Sequence, residues 1–214
     1  MKKLPILMVL LALAPLNARN LILNTGFNAG FNGGPGFNVY FELGNVAEDF
    51  PFSMRVGVGR FTRDPGNADS ARRIFINDAR NGTPEDHGYF WQFDFDLVYQ
   101  KRKFKIYFGP RYARFIGNFK FVGGNEDFDV KSEPWGIGGG IERYYRINRN
   151  LSLSLGGGVN YFFKSTLYAH DTSYSPDGEI INGRHEYTYD DADRAINQPG
   201  LEFRIVMGLR YRLK

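Results

Sequence analysis

The sequence predicts an all-β chain, an eight-stranded antiparallel up-and-down barrel that crosses a membrane with its strands. Three observations predict it. Eight stretches alternate large apolar residues with glycine, polar or charged ones, and a period of two sends the two sets to opposite faces of a strand. The connections alternate between short and long, as in barrels with tight turns at one rim and long loops at the other. Aromatic residues make up 16% of the chain and glycine supplies 26 positions. Yet beyond residue 18 no apolar run nears the roughly 20 residues of a membrane helix.

Residues 1–18 read as a secretory signal: basic Lys2 and Lys3, an apolar run over 4–16, and small residues ending at Ala18. The barrel domain is then 19–214. Without Lys2 and Lys3, the 27 basic residues become 25 against 23 acidic ones, a balance that gives no reason to expect a nucleic-acid partner. The absence of cysteine excludes disulfides, thiolate chemistry and cysteine zinc sites. No cofactor is expected either. Gly138-Gly139-Gly140 and Gly156-Gly157-Gly158 open no helix and precede no Lys-Ser/Thr, so they are not phosphate loops. They read as positions of curvature and close packing inside a barrel.

Strand one (21–31) turns Asn24, Gly26, Asn28 and Gly30 to one face. Strand two (37–43) places Phe37, Val39, Phe41 and Leu43 opposite Asn38, Tyr40 and Glu42. In strand three (52–61) Phe52, Met54, Val56 and Val58 oppose Arg55, Gly57 and Gly59. The pattern is clearest in strand four (89–99), where Tyr89, Trp91, Phe93, Phe95, Leu97 and Tyr99 oppose Gln92, Asp94 and Asp96. Strand five (104–122) is unusually long; it sends Lys105, Tyr107, Gly109 and Arg111 one way, and its alternation slips between Pro110 and Phe115. A bulge there is the expectation. Strand six (134–145) aligns Gly136, Gly138, Gly140 and Glu142, and strand seven (151–163) aligns Ser152, Ser154, Gly156 and Gly158. Strand eight (201–213) sets Leu201, Phe203, Ile205, Met207 and Leu209 against Glu202, Arg204, Gly208 and Arg210.

Which face is outside follows from size. An eight-stranded barrel has room inside for packed side chains or one small ligand. The apolar face carries several large residues on every strand and does not fit that space, so a soluble lipocalin-like barrel is the poorer reading. The glycine-rich face fits, and the aromatic face meets lipid. Charges in the lumen then need partners. Five acids (Glu42, Asp94, Asp96, Glu142, Glu202) face five bases (Arg55, Lys105, Arg111, Arg204, Arg210), a set that reads as a neutral polar plug rather than an ion path.

The final strand, Gly208-Leu209-Arg210-Tyr211-Arg212-Leu213, resembles the C-terminal assembly signal of outer-membrane barrels, though Leu213-Lys214 stands where an aromatic is commonest. With its strand number and loop asymmetry, the chain resembles the small eight-stranded outer-membrane proteins: the OmpA membrane domain, the OmpX/Ail group, OmpW and the opacity proteins. The resemblance implies the outer membrane of a Gram-negative-type bacterium, contact with its lipid and lipopolysaccharide, and recognition of the last strand by the barrel-assembly machinery. It leaves open adhesion, serum resistance, passage of small hydrophobic molecules and envelope integrity.

Short turns at 45–51, 100–103 and 147–150 belong to the periplasmic rim; 32–36, 62–88, 123–133 and 164–200 are the extracellular loops one to four. All three histidines (His87, His170, His185) lie in loops two and four. His170-Asp171-Thr172-Ser173 departs from the His-x-Ser-Asn of lipid A deacylases, and His87 with Asp69-Ser70 is a loose echo of the acyltransferases. Solvated loop polars are the plainer reading, as they are for Asp190, Asp191 and Asp193, which lack calcium-loop spacing. Arg60, Arg63, Arg72 and Arg73 are candidates to contact lipopolysaccharide phosphates. Residues 73–76 and 187–189 read as short strands whose edges offer a template to a host or matrix ligand. The expected protein is non-enzymatic and acts through its loops in surface interaction, adhesion or envelope integrity. An OmpW-like channel and a lipid A-modifying enzyme are the alternatives.

Overall fold

The structure, a computed structural model, describes residues 21–213; the signal segment 1–18 lies outside the described residues. Along the chain come β1 (Ile22–Asn32), β2 (Pro35–Gly44), β3 (Phe52–Arg63), α1 (Ala68–Phe75), β4 (Thr83–Lys101), β5 (Phe104–Val122), β6 (Asp127–Ser132) and β7 (Trp135–Arg146). After these come β8 (Leu151–Phe162), β9 (Leu167–Ala169), β10 (Thr172–Tyr174), β11 (Ile180–Ile181), α2 (Tyr189–Ala195) and β12 (Leu201–Arg212). Strands β1, β2, β3, β4, β5, β7, β8 and β12 pair in that order, all antiparallel, and β12 returns to β1. The sheet is a closed eight-stranded barrel with no edge in its membrane-crossing part.

Loop one proves to be a tight connection: β1 and β2 run on to Asn32 and Pro35, and Gly33 turns the chain at φ 69°. Inner hairpins use the same device with Asn45 (φ 54°) and Arg102 (φ 60°). Interior glycines create room for large side chains. A Cβ on Gly140 or Gly158 would stand 2.4 or 2.8 Å from the Tyr107 hydroxyl.

The expected bulge in β5 is absent. Asp94↔Arg111 and Leu97↔Phe108 share one register with β4, and the pairing with β7 and then β6 keeps one register throughout. Parity never slips; the chemistry of the interior changes. Lys105, Tyr107 and Arg111 point inward in the lower half, and Ala113, Phe115, Phe119 and Phe121 point inward above. On the outside Phe104, Ile106 and Phe108 give way to Arg114, Asn118 and Lys120. The lower barrel is polar inside and apolar outside, and the upper barrel is the reverse, as its surroundings change from lipid to water.

The upper barrel carries a hood. β6 extends the wall beside β5, and β9, β10 and β11 continue that sheet. Residues 73–76 and 187–189 are not the strands expected of them. Ile74 and Phe75 lie on α1, and Thr188 is the N-cap of α2. The local signals favour helix: Asn67 accepts a hydrogen bond from the Ser70 amide, and Thr188 with Asp191 forms a capping box. Both helices lay small and apolar residues (Ala71, Ile74, Phe75, Ala192, Ala195) onto Phe61, Phe90, Phe115 and Phe162 from the barrel wall.

Candidate functional site in the barrel interior

All ten residues expected to form the polar network point into the barrel, in two clusters and one outlying pair. The lower cluster draws from five strands: Glu42 (β2), Arg55 (β3), Lys105 (β5), Glu142 (β7) and Arg210 (β12). Arg55 lies at its centre. Its Nη2 is 2.9 Å from Glu42 Oε2, and its Nη1 and Nη2 each donate to Glu142 at 2.9 Å. Two parallel N–H···O bonds to one carboxylate form a charge-assisted, bidentate pair, stronger than hydrogen bonds between neutral groups. Lys105 Nζ bonds the other Glu42 oxygen, and Arg210 reaches it at 3.5 Å. Tyr40 holds its ring 4.4 Å from the Arg55 guanidinium, and Tyr144 donates its hydroxyl to Glu142.

The upper cluster joins Asp94, Asp96, Arg111 and Arg204. Arg111 Nη1 lies 2.7 Å from Asp96, its Nε 3.4 Å from Asp94, and Arg204 approaches Asp94 at 3.5 Å. A relay of amides surrounds it. Asn160 donates to Asn32 (3.0 Å), Asn32 to Gln92 (2.8 Å) and Gln92 to Asp94 (2.6 Å). Glu202 stands apart, paired with Arg63 at 2.6 Å.

That last pair corrects the reading of Arg63 as a lipopolysaccharide contact. Arg63 continues the inward parity of Arg55, Gly57, Gly59 and Phe61, and this signal was present in the sequence. It also donates to the Asn197 and Gln198 carbonyls, anchoring loop four. Arg72 is corrected too. It is 1% exposed, donates to Asn81 O (2.8 Å), Asn81 Oδ1 (2.7 Å) and Glu126, and lies over the Phe121 ring. It clasps loop two to loop three beneath the surface. Arg60 and Arg73 are exposed.

Loop four is tied down by Arg184, which donates to the Arg73 carbonyl at 2.9 Å and pairs with Asp78 and Glu186, each at 2.5 Å. The Arg184 hydrogen bond holds the Asp78 carboxyl below its ordinary range. Asn77, then Arg72, do the same for Glu126. Thr188 lowers Asp191 to about 2. Lys164 lies 3.1 Å from both Asp190 and Asp193, so the acidic run is occupied by a cap and a lysine. Among the described residues no group of three His, Cys, Asp or Glu is arranged to hold a metal ion. His87, His170 and His185 are exposed, and none adjoins a serine in hydrogen-bonding geometry among the bonds described.

Outside, the barrel has two aromatic girdles. Phe50, Phe52, Tyr99 and Phe108 cluster near the rim of short turns. Tyr112 packs on Trp135 with ring centroids 5.1 Å apart, and Phe93 packs on Tyr112, near the opposite rim. Between them Phe27, Phe41, Ile137, Phe203, Ile205 and Met207 stand exposed. From Trp91 to Tyr99, at ~3.4 Å per residue and a tilt near 40°, the belt is about 21 Å tall, close to that of outer-membrane barrels.

No family model matches the chain, and no curated protein does. Among solved structures it is similar to a major outer membrane protein from Thermus thermophilus. The TM-score is 0.72 at 23% identity, over 91% of this chain and 100% of that one. The fold is that of an outer-membrane β-barrel. Neisserial surface protein A also aligns, with a TM-score of 0.40 at 12% identity over 89% of this chain and 96% of that one. The Thermus alignment spans barrel and hood together, so the barrel's upper storey is included in the likeness.

Proposed function

We propose that this outer-membrane barrel is a non-enzymatic surface protein whose interior is closed to solutes and whose working face is the folded hood. The observation that carries the reading is the continuity of two fillings of opposite chemistry. Charged groups around Arg55 and Arg111 occupy the lower bore, and the aromatic core around Phe115 and Phe119 occupies the upper one. A hydrated ion crossing the first meets paired charges whose separation is costly. At the second it meets an apolar stack. Water has access from below, through a cavity of about 390 Å³ at the periplasmic mouth that ends on Asn24, Glu42 and Arg210.

The hood supports action through a rigid outer surface. Loops two, three and four are joined by Arg72, Arg184 and Arg63 and share one hydrophobic core. An ordered surface loses less conformational entropy when it binds a host or matrix ligand or a neighbouring envelope component. The free upper edge of β4 carries Pro84, Glu85 and Asp86, residues that discourage strand addition. Recognition is therefore assigned to the helical top rather than to a sheet edge.

Planar-bilayer recording of the refolded protein tests the closed interior: no stable conductance is expected, and a steady open channel would return the OmpW-like reading to first place. Binding of cells or matrix by whole bacteria, with α1 and α2 replaced by short turns, tests the hood. Binding that survives this replacement assigns it elsewhere. Lipid A from expressing cells is expected to keep its acyl pattern.

A further inference from the structure

A row of outward-facing residues crosses four strands, β2 to β5, at the upper margin of the apolar belt. Phe37 pairs with Arg60, Arg60 with Trp91, and Trp91 with Arg114, which lies 3.8 Å from Glu133. Immediately below the row the outer face is Val58, Phe93, Tyr112 and Trp135; above it come Thr62, Tyr89, Ile116 and Lys131. The row therefore lies where the outer surface changes from lipid-facing to water-facing, the depth at which headgroups reside.

The two arginines are placed to converge. Their Cα atoms are two strand spacings apart, about 10 Å, with the Trp91 ring between them. The Arg60 guanidinium lies 4.3 Å over the Tyr89 ring and 6.0 Å from Trp91, which orients its planar donors along the wall. Among the described residues no carboxylate pairs with Arg60. The Arg114 side chain is 57% exposed, and among the described residues its one carboxylate contact is the long one to Glu133. Two guanidiniums above an apolar belt, one without an anionic partner, match the charge and bidentate geometry of a phosphate.

We propose that Arg60 and Arg114 clamp the phosphate of an outer-leaflet lipid whose chains lie against Trp91 and Phe93. Glu133 competes for Arg114 with one carboxylate charge, and a phosphate monoester brings up to two charges and three acceptor oxygens. Of the four arginines expected to meet lipid phosphate, this site keeps Arg60, and Arg114 takes the place of the inward-facing Arg63 and the buried Arg72.

The test uses the intrinsic reporter. The chain has two tryptophans, so Trp135→Phe leaves Trp91 alone. The full barrel is folded into phosphatidylcholine vesicles containing a fixed fraction of brominated lipid, either phosphatidic acid, whose headgroup is a phosphate monoester, or phosphatidylcholine. Trp91 quenching is expected to show an enrichment of the anionic lipid of about fivefold. That enrichment falls to parity in Arg60→Gln/Arg114→Gln and weakens part-way in Arg114→Gln alone. Equal quenching by the two lipids in the parent, or an unchanged preference in either arginine variant, overturns the proposal. Lys103→Gln, at the periplasmic rim, is the control expected to leave the preference intact.

Discussion

Arg55 and Glu142 face each other across the bore, from β3 and β7, and meet through two hydrogen bonds of 2.9 Å. Neither strand pairs with the other in the sheet, so this contact braces the cylinder from within. Arg55 also neutralises Glu42, which Lys105 and Arg210 share. Glu142 has no second cation within ion-pair distance among the described residues.

The asymmetry fixes the outcome of two substitutions. Arg55→Met leaves Glu142 buried without its cation, and the expected cost is about 3–5 kcal/mol. Lys105→Met leaves Glu42 with Arg55 and Arg210, and a cost well below that is expected. Urea titration of the barrel folded in lipid vesicles, followed by tryptophan emission, checks both. Equal losses would mean that the cluster shares charge evenly instead of through Arg55.

Arg72 and Glu126 connect loops two and three, with Asn77 and Asn81 completing the clasp. Because the guanidinium is buried against Phe121, Arg72→Gln loses donors that water cannot easily replace. Amide hydrogen exchange is expected to rise through residues 76–82 and 123–126, while β1, β2 and β12 keep their protection. The unfolding midpoint of the membrane part stays in place, because hood and belt have separate cores. Loss of protection in β12 would show that they unfold as one unit.

The barrel was legible because lipid makes the period of two visible. The membrane-crossing strands carry mostly apolar residues on one parity and mostly glycine, polar or charged ones on the other, with Tyr40 and Tyr107 among the inward exceptions. The ten interior charges fall on that parity without exception. The hood was not legible for the same reason. Above Tyr112 the solvent changes, the polarity rule reverses, and Ala113, Phe115 and Phe119 look like a slipped strand although no residue has shifted. A loop position alone places Arg63 and Arg72 at the surface, because loop charges are usually solvated. Arg63 lay on the inward parity of β3 and could have been found. The burial of Arg72 depends on loops two and three meeting in space, which no local pattern records. The helices were marked only by short caps, Asn67 with Ser70 and Thr188 with Asp191.

The α2 cap gives the hood a pH response. Asp191 has a folded pKa of about 2, lowered first by the Thr188 hydroxyl, then by the Thr188 amide and by Arg194. Its unfolded value is about 3.9. A depressed carboxyl stabilises the folded state at pH above the unfolded value and loses that contribution as pH falls through about 2. Exchange at the amides of 189–195 is therefore expected to be slow and flat from pH 7 to 4, after correction for the intrinsic rate. It should accelerate between about pH 4 and 2. Asp191→Asn, which keeps one acceptor and loses the charge, should raise exchange at neutral pH and flatten the acid step. An acid step of unchanged size in that variant would assign it to another group, with Glu126 and Asp78 next in order.

Tyr174 joins the two halves of the hood core. Its ring meets Phe75 edge-on with centroids 5.4 Å apart, its hydroxyl donates to the Ile74 carbonyl at 3.1 Å, and the Arg184 amide donates to that hydroxyl at 2.9 Å. Removing the ring and removing the hydroxyl have different consequences. Tyr174→Phe keeps the packing and strands one buried donor and one acceptor, costing about 1–3 kcal/mol of hood stability. Phe75→Ala opens a cavity under α1 and costs about 3–5 kcal/mol. Limited trypsin digestion of the vesicle-embedded protein distinguishes them, because Arg72, Arg73 and Arg80 lie on or next to α1. Cleavage there is expected to be fastest for Phe75→Ala, intermediate for Tyr174→Phe and slowest for the parent, with the barrel fragment protected throughout. The reverse order for the two variants would mean that the hydrogen bonds, and not the aromatic contact, hold α1 to loop four.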